Sequence, residues 1–350
     1  MHNVDSKMVD LRNQFRDFYN KKLVNDYKKL EKKRYKYLVI FILNLIVAIT
    51  VNYGLFWAIE KEILPDNDDL ITFVISVSII VVFIPILRFK RATKDAVMKK
   101  IISFFGENIN YSKNMITDDI IKASELFNKY DNSDVDDCFA GYYNGVRIAV
   151  SEYDLDNGRG KNKENIFNGL LILFDFSKNF SGKTKCKSKF NFSSLNNFGS
   201  WVTIGVLGLF CFVDIMFVFI ILAFIGIWSL IEHLNNKGKK AVYLENVVFS
   251  KKWNVEATDQ VEARYLLTPA MMERVLEVKK LFKGKAIDFS FFDNKLLIAV
   301  HTNKDMFEST SLFSSALRFD KVLNVIHQFY SIFQIIDLLK IEGKKNNEKS

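Results

Sequence analysis

The chain has 350 residues, of which 49% are hydrophobic and 25% are charged, and its formal net charge is +9. Its apolar residues are concentrated in blocks that approach 20 residues, which is typical of membrane proteins. The three cysteines share no CxxC spacing, which argues against a disulfide framework and a structural zinc site. The excess lysines flank the apolar blocks, so anionic lipid headgroups rather than a nucleic acid are the expected partner of this charge.

Residues 1–36 have the pattern of one amphipathic helix that precedes the first apolar block. Apolar residues recur at intervals of four and three positions, which places them on one side of a charged helix. These residues are Val4, Met8, Leu11, Phe15 and Phe18. We therefore predict a cytosolic amphipathic helix here.

Residues 37–59 and 70–87 are two apolar runs that are long enough to cross a bilayer as helices. Seven lysines and arginines lie in residues 22–36 and six in residues 88–100, against one in the connecting loop. Because basic residues stay on the cytoplasmic side, the pattern predicts a transmembrane hairpin with both outer ends in the cytoplasm. We expect a multi-pass protein of the inner membrane with cytoplasmic N- and C-termini.

The third apolar run, residues 201–231, is interrupted by Asp214 and has lysine-rich flanks on both sides. Flanks of the same charge favour a re-entrant or tightly bent segment, while a single crossing by residues 213–231 is the alternative. A carboxylate at the bilayer centre is costly, so Asp214 is a candidate intramembrane polar site. It is either an ion or proton site or, as we favour, a turn residue at the far interface.

The polar remainder predicts an α+β domain, because strand-turn-strand patterns alternate with helices rather than forming βαβ units. The predicted fold is a cytosolic α+β domain attached to a helical transmembrane hairpin, with an apolar segment, re-entrant or spanning, inserted in the domain. The expected divisions are 1–36, the amphipathic helix; 37–87, the hairpin; 88–107, a basic linker helix; 108–199, the first half of the domain; 200–232, the inserted membrane segment; 233–342, the second half; and 343–350, a disordered tail.

Several short motifs resemble functional sites but lack residues that those sites need. The run "SGKT" at 181–184 lacks the glycine that a phosphate-binding loop needs five residues earlier, where Ser177 stands. The acidic run 131–137 lacks the glycine and glutamate of a calcium loop and is interpreted as a solvated turn. His301 is interpreted as a surface or edge histidine. No metal ligand set, catalytic residue or cofactor is expected.

The stretch "DQVEARYLLTPAMMERV", residues 259–275, is the densest group of functional side chains. Its candidate ligand- or partner-binding residues are Asp259, Glu262, Arg264 and Tyr265. Thr258 and Thr268 are predicted to cap two short helices, with Pro269 opening the second. We interpret the stretch as a helix-break-helix element of the core rather than as a catalytic cluster.

Four stretches resemble a bacterial family known as domain of unknown function 3137. They are "FNKYDNSDVDDCFAGYYNGVRIAVSEYDL", "IFNGLLILFDFSKNFSGKT", "DQVEARYLLTPAMMERVLEVKKLF" and "IDFSFFDNKLLIAVHTNKDMFE". The resemblance implies an integral membrane protein with two N-terminal spans and a cytosolic α+β domain of no established activity. It also points to a LemA-type membrane protein as a partner.

These observations favour a non-enzymatic membrane protein whose cytosolic domain is a scaffold or partner-binding module, with a homo-oligomer left open. The alternative is a membrane-associated enzyme or transport component that uses Asp259, Glu262 and Arg264, or Asp214. Nothing in the pattern identifies a ligand.

Reporter fusions after Lys99, at Lys187 and at the C-terminus test the predicted topology. We expect all three to report the cytoplasm, because basic residues flank every apolar run. Opposite sides for Lys187 and the C-terminus would contradict both the bent third segment and a domain that is built from both halves.

Overall fold

The computed structural model describes residues 2–341 except 66, 107, 112–114, 128, 159, 161–162, 177–178, 190–239, 243, 284, 303–305 and 309. Its residues form two compact units, which are described separately. The first comprises Met1–Met115, Val135–Glu152 and Asn303–Gln334, and the second comprises Ile116–Asp134, Tyr153–Thr302 and Ile335–Ser350. The predicted inserted segment 200–232, with Asp214, lies outside the described residues.

Two long helices dominate the first unit. Helix α1 (His2–Phe18) leads through a π-helical turn, Tyr19–Leu23, into α2 (Val24–Glu60). Helix α3 (Asp68–Ile102) begins where the side chain of Asn67 accepts hydrogen bonds from the backbone N–H groups of Asp69 and Leu70. The basic segment and the first apolar run are therefore parts of one continuous helix, which is uninterrupted from residue 24 to residue 60.

Polar side chains join α2 to α3 within their apolar surfaces. Asn44 Nδ2 donates to the carbonyl oxygen of Val81 at 2.9 Å, and Asn52 Nδ2 donates to Ser78 Oγ at 3.1 Å. Such bonds satisfy amide groups that hydrocarbon cannot hydrate. Many large apolar side chains of both helices face outward, among them Ile46, Ile49, Phe73 and Ile80.

Among the described residues, three helices are long and apolar enough to cross a membrane when judged by length and composition. They are Val9–Glu60, Asp68–Phe105 and Phe319–Leu339. The first two carry the predicted hairpin, and their apolar windows are almost entirely exposed. The third, helix α8 (Phe319–Leu339), is more than half buried, which agrees with its predicted place in the α+β domain.

The first unit also contains β1 (Ile109–Tyr111) and most of β2 (Asn132–Tyr143) and β3 (Val146–Asn157), in that order. Strand β1 pairs antiparallel with β2, so that Ile109 lies opposite Gly141. The acidic run interpreted as a solvated turn is mostly strand, because β2 begins at Asn132. The predicted turn was therefore wrong, although Asp137 is the one buried residue of the run and most of the others are exposed, as predicted.

The second unit has an antiparallel sheet in the order β4-β9-β8-β5-β7-β6. Its strands are β4 (Glu164–Asp175), β5 (Thr184–Ser188), β6 (Lys240–Ala241), β7 (Trp253–Ala257), β8 (Ile287–Phe292) and β9 (Lys295–His301). Asp293 and Asn294 both have positive φ between β8 and β9, which confirms the predicted hairpin. Antiparallel pairing throughout this sheet, with helices beside it, confirms the predicted α+β pattern.

Among its described residues, the second unit has four short helices. They are α4 (Asp118–Ser124), α5 (Val247–Lys252), α6 (Gln260–Leu266) and α7 (Pro269–Leu281). The apolar stripe predicted for α7 is confirmed, because Met271, Val275 and Val278 are buried beside Ile287 and Phe289 of the sheet.

A buried ion pair connects the polar part of α2 to the segment that precedes α8. Arg34 Nη2 lies 2.8 Å from Glu31 Oε1, and Arg34 Nη1 donates to the carbonyl oxygen of Leu312 at 3.0 Å. Glu31 Oε2 accepts from the backbone N–H of Ala316 at 2.7 Å. Only 7% of Arg34 is exposed, so these groups satisfy one another away from water.

Replacing Arg34 with glutamine should lower the free energy of unfolding by about 2–3 kcal/mol, because the Glu31 carboxylate and the Leu312 carbonyl would lose their buried partner. Thermal unfolding of the full-length protein in detergent measures this. The exposed neighbour provides the control, since Lys33→Gln should change stability by less than about 0.5 kcal/mol. Equal effects of the two substitutions would contradict the structural role of Arg34.

Candidate functional site

Helix α6 carries the candidate residues and begins one residue later than the sequence suggested. Asp259 is the N-cap, and its Oδ1 accepts from the backbone N–H groups of Val261 at 2.7 Å and Glu262 at 3.3 Å. Thr258, which was predicted to be the cap, instead accepts from the backbone N–H of Lys183 through Oγ1 at 2.9 Å. The role of Asp259 is therefore to begin the helix.

The second helix of the stretch begins as predicted. Thr268 is the N-cap of α7, its Oγ1 accepts from the backbone N–H of Met271 at 3.2 Å, and Pro269 occupies the first helical position. This confirms the helix-break-helix interpretation of residues 259–275.

Glu262 turns toward the loop that precedes β5 rather than toward Arg264. Its two carboxylate oxygens accept from the backbone N–H groups of Ser181 at 2.8 Å and Gly182 at 2.6 Å. A Cβ atom at Gly182 would lie 2.3 Å from Glu262 Oε2, so a larger residue there would force the Glu262 carboxylate to shift. The amides of the run "SGKT" are thus occupied by a carboxylate of the protein itself.

One side of α6 is exposed, and it lies away from the buried Ala263 and Leu266. Val261, Arg264 and Tyr265 are spaced three and four residues apart, so they share one side of the helix, which we name the α6 face. Val261 is 78% exposed and Tyr265 56% exposed. Arg264 is also exposed, and within the described part of the chain it has no hydrogen bond or ion pair. The α6 face presents a cation, an aromatic ring and an aliphatic side chain to solvent.

The arrangement does not gather the four candidate residues into one reactive group. Both carboxylates, those of Asp259 and Glu262, bind backbone N–H groups of the protein, while Arg264 and Tyr265 point outward. General acid-base or nucleophilic chemistry needs side chains that converge on one reacting atom. The α6 face instead has the composition of binding hot spots, in which tyrosine and arginine are enriched.

Sequence reasoning missed a group of acids in the first unit. Carboxylate oxygens of Asp136, Asp137 and Glu152 lie within 4.8 Å of one another, a spacing that can hold a metal ion. The ammonium of Lys94 lies 2.6 Å from Asp136 Oδ2 and 2.9 Å from Asp137 Oδ2. A cation is therefore already supplied by α3, which makes a structural role the simpler interpretation of the group.

Hydrogen bonds hold the carboxylates of this acidic group in place, and burial affects the pKa of one of them. Tyr111 donates from its hydroxyl to Asp137 Oδ1 at 3.0 Å, and Glu152 Oε1 accepts from the backbone N–H of Met306 at 3.0 Å. Burial raises the pKa of the Asp137 carboxyl, although the Lys94 ammonium acts in the opposite direction. Lys94, Asp137 and Glu152 are widely separated in sequence, so no local spacing could have indicated the group.

His301 also has a partner that the sequence did not suggest. Its Nε2 lies 3.0 Å from Asp288 Oδ2, and its ring packs edge-on against Phe167 at 5.0 Å between ring centroids. Asp288 Oδ1 accepts from the backbone N–H of Ser188 at 2.7 Å. The histidine lies at the end of β9, as predicted, but it is fixed by this ion pair or hydrogen bond rather than left free in solvent.

Comparison with family models identifies the family of this chain. A family model described as "Protein of unknown function (DUF3137)" matches residues 165–341, just over half of the chain. The chain belongs to the DUF3137 family. The DUF3137 match runs from β4 to the end of α8, so it includes the α6 face and confirms the resemblance drawn from the sequence motifs.

Other comparisons add less. No curated protein matches the chain. Among solved structures, the crystal structure of the mycobacterial trehalose monomycolate transport factor A, TtfA, matches with 9% sequence identity and a TM-score of 0.27. The similarity covers 67% of this chain and 91% of that one. A TM-score this low carries no argument about the fold or function of the DUF3137 protein.

Truncation of Glu262 should lower the stability of the protein, whereas truncation of Arg264 should leave it almost unchanged. Glu262→Ala should lower the free energy of unfolding by about 1–2 kcal/mol, because two backbone N–H groups would lose a charged acceptor. Arg264→Ala should change it by less than about 0.5 kcal/mol, since an exposed side chain is removed. Thermal unfolding of the full-length protein in detergent measures both effects, and a larger loss for Arg264→Ala would show that its role is structural.

Proposed function

We propose that this chain is a multi-pass inner-membrane protein whose cytosolic α+β domain is a scaffold that binds a partner through the α6 face. The observation that carries the proposal is the division of α6 into two sides. Ala263 and Leu266 are buried and Glu262 binds the loop before β5, while Val261, Arg264 and Tyr265 are presented together to solvent. The exposed side of the helix is the surface that we propose for recognition.

Strand pairing and charge support the proposed topology. Strand β5 ends at Ser188, and β6 begins at Lys240, yet both pair with β7 in the second unit. Both ends of the predicted membrane insert therefore join one sheet, which supports a segment that enters and leaves from the same side. Together with the basic flanks of the hairpin, this favours cytoplasmic N- and C-termini.

The chemistry of the α6 face defines the partner that it would bind. An exposed arginine pairs best with a carboxylate, and an exposed tyrosine and valine gain most from covering by apolar side chains. The partner we propose is therefore a protein segment with an acidic residue beside apolar ones. A LemA-type membrane protein is one candidate that the family resemblance implies, and a second copy of this chain is another.

The enzyme or transport alternative has weaker support in the described residues. Its proposed carboxylates, Asp259 and Glu262, already accept hydrogen bonds from the backbone, and Asp214 lies outside the described residues. An activity screen of the purified full-length protein against lipids, nucleotides and peptides tests this alternative. Turnover that is lost in Glu262→Gln but kept in Arg264→Ala would overturn the binding proposal.

Site-specific photo-crosslinking in native membranes tests the binding proposal. A photoreactive amino acid in place of Tyr265 should form a discrete adduct, and Arg264→Glu in the same protein should reduce that adduct at least tenfold, because the charge reversal repels an acidic partner. The adduct is identified by mass spectrometry, which separates a second copy of this chain from another protein.

The control places the same photoreactive amino acid at Glu273, an exposed position on α7. We expect no adduct there that depends on Arg264. An adduct at position 265 that is unchanged by Arg264→Glu, or the same adduct from both positions, would contradict a specific role of the α6 face.

A further inference from the structure

Three lysines lie near the end of β5 in the second unit. The backbone N–H of Lys189 donates to the carbonyl oxygen of Lys252 at 2.7 Å, and Lys189 Nζ donates to the carbonyl oxygen of Ser250 at 2.7 Å. The ammonium of Lys279 lies 5.0 Å from the centre of the Trp253 ring. We name Lys189, Lys252 and Lys279 the three-lysine cluster.

The tryptophan beside these lysines is held rigidly. Trp253 is almost fully buried, its ring stacks on Phe249 at 4.7 Å, and its Nε1 donates to the carbonyl oxygen of Ile287 at 2.7 Å. The position of Lys279 over this ring is therefore defined by packing. A cation over an indole face is held in place without losing its charge.

The positive charge of the three-lysine cluster is not compensated by ion pairs with described residues. Burial lowers the pKa of Lys279, the nearby Lys252 ammonium lowers it further, and Asp288 acts in the opposite direction. Asp288 is itself occupied by His301 and by the backbone N–H of Ser188. An added anion at this position would relieve the repulsion between the lysines.

The position of the three-lysine cluster along the chain indicates where such an anion would come from. Residue 189 is the last described residue before the gap that contains the third apolar run, which begins at residue 201. The link from residue 189 to the start of that run at residue 201 spans at most roughly 40 Å, whereas the return ends at Lys240, which lies opposite Ala257 at the other end of β7. If the apolar run enters the membrane, this end of the sheet is tethered near the headgroup layer.

We propose that the three-lysine cluster binds the phosphate of an anionic lipid headgroup at the membrane surface. The proposal rests on the membrane attachment in the proposed function but not on partner binding by the α6 face. Lysines in the last turns of α5 and α7 also favour the helix dipoles, but that role does not require Lys189 and Lys279 to lie beside the same segment, residues 250–253. The cluster would hold this end of the second unit to the bilayer.

The test uses the full-length protein in a neutral detergent and follows its thermal midpoint during titration with short-chain phosphatidylglycerol. We expect saturable stabilisation by phosphatidylglycerol and none by phosphatidylcholine of the same chain length. The triple variant Lys189→Gln, Lys252→Gln, Lys279→Gln should raise the half-saturating concentration on the order of a hundredfold, since each lysine near an anionic surface contributes about fivefold.

A lysine at the other end of the sheet provides the matched control. Lys295 lies opposite Phe292, whereas the cluster adjoins the Ile287 end of the same strand. Lys295→Gln should change the half-saturating concentration less than twofold, and Arg264→Glu should also leave it unchanged. Equal stabilisation by phosphatidylcholine, or an unchanged response in the triple variant, would overturn the proposal.

A measurement on the unaltered protein covers the case in which the triple variant does not fold. Lysine acylation followed by mass spectrometry should show at least threefold slower modification of Lys252 and Lys279 in phosphatidylglycerol nanodiscs than in phosphatidylcholine nanodiscs. Lys295 should react equally in both. Equal protection by inorganic phosphate at the same concentration would identify a free-phosphate site instead and would overturn the assignment to lipid.

Discussion

The pairing of β5 and β6 with opposite edges of β7 is the constraint on which the second unit depends. Between these strands, the chain runs through 51 residues, 189–239, before it returns to the same sheet. Backbone hydrogen bonds to a shared strand leave the two ends of that excursion little freedom to separate. The sheet can therefore contain strands from both sides of a long apolar insert, because its register is fixed by residues outside the insert.

The loop before β5 shows how a sequence that resembles a ligand site can be used for structure. Consecutive backbone N–H groups at Ser181 and Gly182 form the kind of concavity that binds anions. Here the anion is the carboxylate of Glu262, which is carried by a helix about 80 residues further along the chain. This contact orients α6, and the outward direction of Arg264 and Tyr265 follows from it.

Local patterns predicted much of the fold and only part of the site. The hairpin at Asp293-Asn294, the cap at Thr268 and the apolar stripe of α7 each depend on residues within one or two turns of each other, and all were confirmed. The partners of Glu262 and Lys94 were not predicted, because each pair joins distant parts of the chain and no spacing rule encodes such a contact.

The prediction of a turn for residues 131–137, at the start of β2, was wrong for a related physical reason. Aspartate and asparagine favour turns because their side chains can bond to the nearby backbone. Here the backbone is paired in β2 instead, and the ammonium of Lys94 binds the carboxylate of Asp137. The exposure of the α6 face could likewise be learned only from the fold. Spacing placed Arg264 and Tyr265 on the helix, but the burial of Ala263 and Leu266 on its other side is seen only in the fold.

The unbroken course of α2 has a mechanical consequence. A helix of 37 residues is roughly 55 Å long, and α2 passes from the apolar hairpin to the buried Arg34 pair without a hinge. Transmembrane helices change their tilt when the thickness of the bilayer changes. A tilt of roughly 10° would move one end of such a rod by about 10 Å relative to the other. If the apolar part of α2 crosses a membrane, a change of tilt would be transmitted along the helix to the Arg34 pair.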